Sequence, residues 1–271
     1  MSAPWLPPGR PIELPGRGTT FVHHQPAPAG APTILLLHGL GITAAVQWFT
    51  AFPALAERWG VVALDHRGHG RGIRSAEPFA LEDCADDAAA LLTALGVERA
   101  VVVGYSMGSP VAQTFWHRHP SRTAGLVLCA GVHSYRGMEP APGRVEALTR
   151  TIGALRTARF LARHADPGRR RWLLGELWRN DRKVLYEAGM VLGGFDASDW
   201  IGGVDVPHAV VVTELDQIVP PARQRLVAKA LPAATVHACQ CDHGDAVAEP
   251  NAFVPALLAA LEAVTDRSVS G

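Results

Sequence analysis

Short apolar runs recur along the chain, each followed by a longer stretch in which apolar and polar positions mix. The runs are "TILLLH" (33–38), "VVALD" (61–65), "AVVVG" (100–104), "GLVLCA" (125–130), "HAVVVT" (208–213) and "TVHAC" (235–239). They are rich in Val, Ile and Leu with little polar alternation, the pattern of strands covered on both faces of a parallel sheet. Between them, residues 44–58, 81–95, 107–118, 221–231 and 247–264 carry helix-like periodicity. This strand–helix–strand rhythm predicts an α/β fold with right-handed crossovers and a doubly wound, mostly parallel sheet. Ahead of the first run, "PIELP" and "TTFVHHQ" are expected to add an antiparallel pair at the front edge.

The rhythm breaks between 134 and 203. That stretch has helical periodicity, several arginines and Trp172, Trp178 and Trp200, but no strand pattern, and glycines and prolines flank it. It predicts a helical lid (134–203) inserted into one core domain formed by residues 1–133 and 204–271. A chain of 271 residues is long enough for one core with such an insertion. In the lid, Phe160, Tyr186, Met190, Phe195 and the three tryptophans are candidates for an apolar pocket, with packing onto the body as the plainer role. "GRRRW" (168–172) is expected to be a solvated face.

Composition narrows the function classes. Apolar residues make up 48% of the chain, enough for a large core. Lys and Arg total 25 against 25 Asp and Glu. A net charge of zero argues against nucleic acid as a partner, since binding it needs a basic face. The amino-terminal "MSAPWLPPGRPIELPGRG" has no basic segment followed by an apolar one, and no apolar run is long enough to span a bilayer. A cytoplasmic protein with no membrane span is expected. The four cysteines are too few for a disulfide framework. Cys239 and Cys241, one residue apart, are expected to be too close to pair easily, and Cys84 and Cys129 read as small core residues.

The candidate chemistry centres on "AVVVGYSMGSPVAQTFW" (100–116), where an apolar run stops on Gly104-Tyr105-Ser106-Met107-Gly108 and helix-like residues follow. A G-x-S-x-G between strand and helix makes a sharp elbow that presents the Ser hydroxyl at the carboxyl edge of the sheet. Such a nucleophile needs a base, and the base needs an acid to fix its tautomer. His243, in "CDHGDAVAEPNAF", follows the last predicted strand and is the candidate base. His237 lies inside that strand, and His117 and His119 end the helix on the far side of the fold. Asp216, in "VVVTELDQIVPP", is the candidate acid, with Glu214 as its nearest rival. Two amides are expected to hold the oxyanion: Met107, directly after the nucleophile, and Leu40, in "HGLG" (38–41). His38 is expected to pin that loop.

These residues carry a resemblance. "LLLHGLG", "VVALDHRGHGRG", "VVVGYSMGS", "ELDQIVP" and "DHGDAVAEP" occur in the order found in the α/β-hydrolase superfamily, and the chain resembles its lid-bearing serine esterase, lipase and haloperoxidase-like branch from about residue 20 to 264. The resemblance implies a triad of Ser106, Asp216 and His243 with an oxyanion hole at Leu40 and Met107. It implies that "DHRGHGRG" (65–72) is a structural turn. Haloalkane dehalogenases and epoxide hydrolases resemble this fold but carry Asp at the elbow, so Ser106 disfavours them.

No cofactor and no metal are expected. No G-x-G-x-x-G opens a helix after the first strand, and "CQCDH" (239–243) lacks a fourth ligand of ordinary spacing. The expected activity is hydrolysis of a small-molecule apolar carboxylic ester through an acyl-enzyme on Ser106. The alternatives are thioester, lactone or C–C bond hydrolysis or acyl transfer by the same triad, and a non-catalytic small-molecule receptor.

Overall fold

A computed structural model describes residues 4–137, 167–244 and 250–268. Eight strands form one sheet: β1 (Gly9–Leu14), β2 (Gly18–Gln25), β3 (Thr33–Leu37), β4 (Gly60–Leu64), β5 (Ala100–Tyr105), β6 (Thr123–Cys129), β7 (His208–Thr213) and β8 (Thr235–Cys239). Their spatial order is β1-β2-β4-β3-β5-β6-β7-β8. β1 and β2 run antiparallel at one edge, and all pairs from β4 to β8 are parallel. All six apolar runs are strands, and the front-edge pair is present.

The lack of alternation in those runs has its cause in the layers. Ile34, Leu36, Val101 and Val103 face one core, whereas Leu35, Leu37, Val102 and Leu126 face the other. Against the second core lie α3 (Leu81–Ala94), α4 (Gly108–Arg118) and α7 (Pro221–Ala230). Against the first lie α1 (Ala44–Trp48), α2 (Phe52–Ala56) and α8 (Pro250–Ser268). Burying a side chain of Leu or Phe size is worth about 2–3 kcal/mol, so both faces must be apolar for the sheet to gain from both layers.

Two sequence expectations are corrected. The single helix over 44–58 is two short ones, because Pro53 enters the first turn of α2, where its missing N–H costs nothing. Cys239 and Cys241 are joined as a disulfide across one residue, with Cα atoms 5.5 Å apart. That separation lies inside the range of about 4.4–6.8 Å over which two cysteines can be bridged, which one intervening residue was expected to deny.

Between β6 and β7 lie α5 (Pro167–Leu177) and α6 (Arg182–Gly193). The expected lid also includes residues 138–166 and with them Phe160, which fall outside the described residues. Of its other aromatic candidates, Trp172 packs edge-on against Phe49, and Trp200 stacks on His117 and Trp116 and meets Phe195 edge-on. Trp178 is 84% exposed. Among the described residues, no helix is long and apolar enough to cross a membrane.

Candidate active site

β3 has β4 on one side and β5 on the other, so the chain leaves β3 and β5 in divergent directions. A crevice forms at the carboxyl ends of strands where order reverses in this way. The loop 38–41 leaves β3 there, and the elbow leaves the adjacent β5, with Leu37 registered opposite Gly104.

The elbow requires its glycines. A Cβ on Gly104 would stand 2.1 Å from the Gly108 carbonyl oxygen, and one on Gly108 would stand 2.2 Å from the Leu37 carbonyl oxygen. Strand, helix and neighbouring strand are too close for any side chain at either position. Ser106 itself has φ 55°, the left-handed region that costs a non-glycine residue about 1–2 kcal/mol. Its amide donates to the Cys129 carbonyl at 3.0 Å, and its carbonyl accepts from the Ser109 amide at 2.9 Å. Those two bonds hold the strained residue in place.

Three side chains distant in sequence converge at this edge. His243 Nε2 lies 2.8 Å from Ser106 Oγ, and His243 Nδ1 lies 2.6 Å from Asp216 Oδ2. A carboxylate can only accept, so Nδ1 carries the proton in the neutral ring and Nε2 is left to accept from the hydroxyl. His243 and Asp216 are buried, while Ser106 remains partly open. Burial alone would raise the Asp216 carboxyl, but the hydrogen bond and charge of His243 outweigh it, helped by the Val219 amide and the Thr213 hydroxyl. The net shift is downward, so Asp216 stays ionised. Asp216 Oδ1 also accepts from the amides of Ile218 and Val219 at 2.8 and 2.9 Å, and Gln224 Nε2 donates to Oδ2 at 3.2 Å.

The rivals are placed elsewhere. Glu214 pairs with Arg225. His237 sits half-buried on β8 with its Nε2 by the Thr235 hydroxyl, and His119 contacts Asp86.

The loop 38–41 stands against the elbow: a Cβ on Gly39 would lie 3.3 Å from Ser106 Cβ. His38 Nε2 accepts from the His66 amide at 2.9 Å, which leaves its Nδ1 to donate to the Gly39 carbonyl at 2.8 Å. Gln47 Oε1 accepts from the Gly39 amide at 3.4 Å. Among the described residues, neither the Leu40 nor the Met107 amide meets a protein acceptor.

Several supporting residues escaped the sequence reading. Tyr105, next to the Ser, donates its hydroxyl to the His243 carbonyl at 2.9 Å. Gln224 is a polar residue on the buried face of α7, and such a break in an apolar face was the available signal. Gln47 gave the same signal on α1, where every position is buried.

A family profile described as alpha/beta hydrolase fold matches residues 32–166. The chain is 30% identical over 263 residues to a protein of Caulobacter segnis named putative carbamate hydrolase RutD, covering 89% of this chain and 95% of that one. It is 34% identical over 193 residues to epoxide hydrolase B of Mycobacterium tuberculosis, covering 69% of this chain and 50% of that one. A hydrolase from Pseudomonas aeruginosa of known structure superposes with a TM-score of 0.78 at 22% identity, over 93% of this chain and 98% of that one. With the fold and edge geometry above, the chain belongs to the α/β-hydrolase superfamily.

Proposed function

We propose that this protein is a serine hydrolase that cleaves small apolar carboxylic esters in the cytoplasm through an acyl-enzyme on Ser106. The observation that carries the reading is the unbroken line Asp216–His243–Ser106, with links of 2.6 and 2.8 Å. Ser106 Oγ attacks the ester carbonyl carbon as its proton passes to His243 Nε2. Asp216 stabilises the imidazolium and keeps the ring oriented. The amides of Leu40 and Met107 donate to the oxyanion, each worth about 10²–10³ in kcat. His243 then protonates the departing alcohol, and a water deprotonated by the same imidazole releases the acid. The segment 134–203 acts as the lid that shapes the substrate pocket.

Similarity to a putative carbamate hydrolase over 95% of that protein supports a second reading, attack on a carbamate carbonyl by the same serine. Thioester, lactone and C–C bond hydrolysis and acyl transfer reuse the same groups. Epoxide opening is disfavoured because Ser106 stands at the elbow, where epoxide hydrolases of this fold carry Asp.

The experiment is turnover of p-nitrophenyl esters of increasing acyl length, and of matched p-nitrophenyl carbamates, by wild type and Ser106→Ala. The expected result is highest kcat/KM on esters and a loss of about 10³-fold or more in Ser106→Ala. Faster turnover of carbamates selects the second reading. Equal rates for both proteins overturn both, and acylation without release points to a receptor.

A further inference from the structure

Asn180, in the turn between α5 and α6, touches two loops of the core at once. Its Nδ2 donates to the Gly41 carbonyl at 3.1 Å, and its Oδ1 accepts from the Gly70 amide at 2.9 Å. The next residue repeats the attachment, with the Asp181 amide donating to the Gly68 carbonyl at 2.8 Å. One helical turn earlier, Glu176 is buried. Its Oε1 pairs with Arg71 at 2.5 Å, and its Oε2 accepts from the Thr43 hydroxyl at 3.3 Å. A glutamate is almost never fully buried unless paired, so this one marks a built junction rather than a chance contact.

The junction bears on the loop that carries Leu40. His38 and Gln47 hold the Gly39 peptide from one side, as described above. Gly41 has φ +72°, and Leu185 of α6 lies against it. Asn180 holds its carbonyl from the other side, and Thr43, which Glu176 engages, caps α1 immediately after. The Leu40 N–H shares its peptide unit with the Gly39 carbonyl that His38 holds, while the Gly41 carbonyl is held by a different element. An oxyanion donor works only when held in place before the charge develops, and a supporting shell is what holds it.

We infer that Asn180, braced by Glu176, is a positioning residue that fixes the 39–41 loop so that the Leu40 amide faces the oxyanion. The inference rests on the acyl-enzyme reading above. It makes the α5–α6 turn a clamp on the reaction centre, so this part of the insertion affects rate as well as access.

The test is Asn180→Asp, which keeps an acceptor for the Gly70 amide and removes the donor to the Gly41 carbonyl. Kinetics with p-nitrophenyl acetate are read beside the inhibition constant of an aryl trifluoromethyl ketone, whose adduct on Ser106 bears the oxyanion. The expected result is a fall in kcat of about 10–100-fold, KM within about twofold, and a matching loss of ketone affinity. A folded variant with unchanged kcat and ketone affinity overturns the inference, as does a fall in kcat with ketone affinity intact. Should Asn180→Asp not fold, Asn180→Ser and Glu176→Gln carry the same comparison. Wild type that an organophosphate fails to label at Ser106 overturns the underlying reading. Labelled wild type beside an unimpaired Asn180→Asp overturns this inference alone.

Discussion

The phenol of Tyr105 donates to the backbone carbonyl of His243 at 2.9 Å, while Ser106, the next residue, meets the ring of His243 at 2.8 Å. One dipeptide at the end of β5 therefore fixes both the backbone and the imidazole of a residue 137 positions further along the chain. Tyr105 is buried, and its ring lies edge-on to Phe253 of α8 at 5.4 Å. The position of His243 is thus coupled to the strand that ends at Ser106.

Tyr105→Phe keeps the ring packing and removes that hydrogen bond. The expected cost is about 1 kcal/mol of stability, with kcat reduced about 3–30-fold at nearly constant KM. Thermal melts and steady-state ester kinetics check it. An unchanged kcat would show that the bond does not position His243.

Asp216→Asn and Glu214→Gln separate the two acidic candidates. Asparagine at 216 permits the wrong imidazole tautomer, and kcat should fall by about 10³–10⁴. Glu214 pairs with Arg225 away from the imidazole, so Glu214→Gln should stay within about twofold of wild type. Ester hydrolysis by the two purified variants decides between them.

Acid should destabilise the fold through three buried imidazoles. The rings of His38, His66 and His69 cluster, with centroids 4.4 and 5.2 Å from His38. Burial lowers His38 to about 4 and His69 to about 3, and lowers His66 well below the ordinary value of 6.5. All three are neutral in the fold, whereas the unfolded chain protonates them near 6.5. Stability is therefore full above that pH and is lost as pH falls from 6.5 toward 4. His38 and His69 each contribute about 2 kcal/mol of destabilisation at pH 5, and His66 acts in the same direction. Among the described residues neither ring nitrogen of His66 has a hydrogen-bond partner, so His66→Phe removes a titrating group without breaking a side-chain bond there. Urea melts from pH 4.5 to 7.5 should show its stability falling less steeply than that of wild type as pH drops below 6.5.

Much of this was legible in the sequence because its cause is local. The uninterrupted Val and Leu runs state that both sheet faces are covered, and Gly104 and Gly108 state how tightly strand and helix approach. Ser106, Asp216 and His243 each follow an apolar run, which puts them on one edge of a parallel sheet. What stayed hidden depends on contacts between remote segments. Nothing in "WRNDRK" distinguishes Asn180 from a surface turn residue, because its partners are backbone groups of loops 139 and 110 residues away. Likewise, Tyr105 gave no sign that its hydroxyl would reach the loop after β8.

The same remoteness hides a structural ion pair. Arg67 makes two hydrogen bonds to Asp87, at 2.8 and 2.9 Å, and Arg17 joins Asp87 from the β1–β2 turn. Asp87→Ala leaves the buried Arg67 guanidinium, among the described residues, with the partly exposed Asp83 as its carboxylate partner. The expected loss is about 3–5 kcal/mol in chemical denaturation, with kcat per folded molecule nearly unchanged.

Whether Ser106 is the nucleophile is decided by the intact mass and peptide map of the protein after reaction with a diethyl phosphate triester bearing a p-nitrophenol leaving group. One diethylphosphoryl group per chain is expected, carried on Ser106, formed slowly in His243→Ala and not formed in Ser106→Ala. A protein that hydrolyses esters yet carries no adduct, or carries it on another residue, would contradict that role for Ser106.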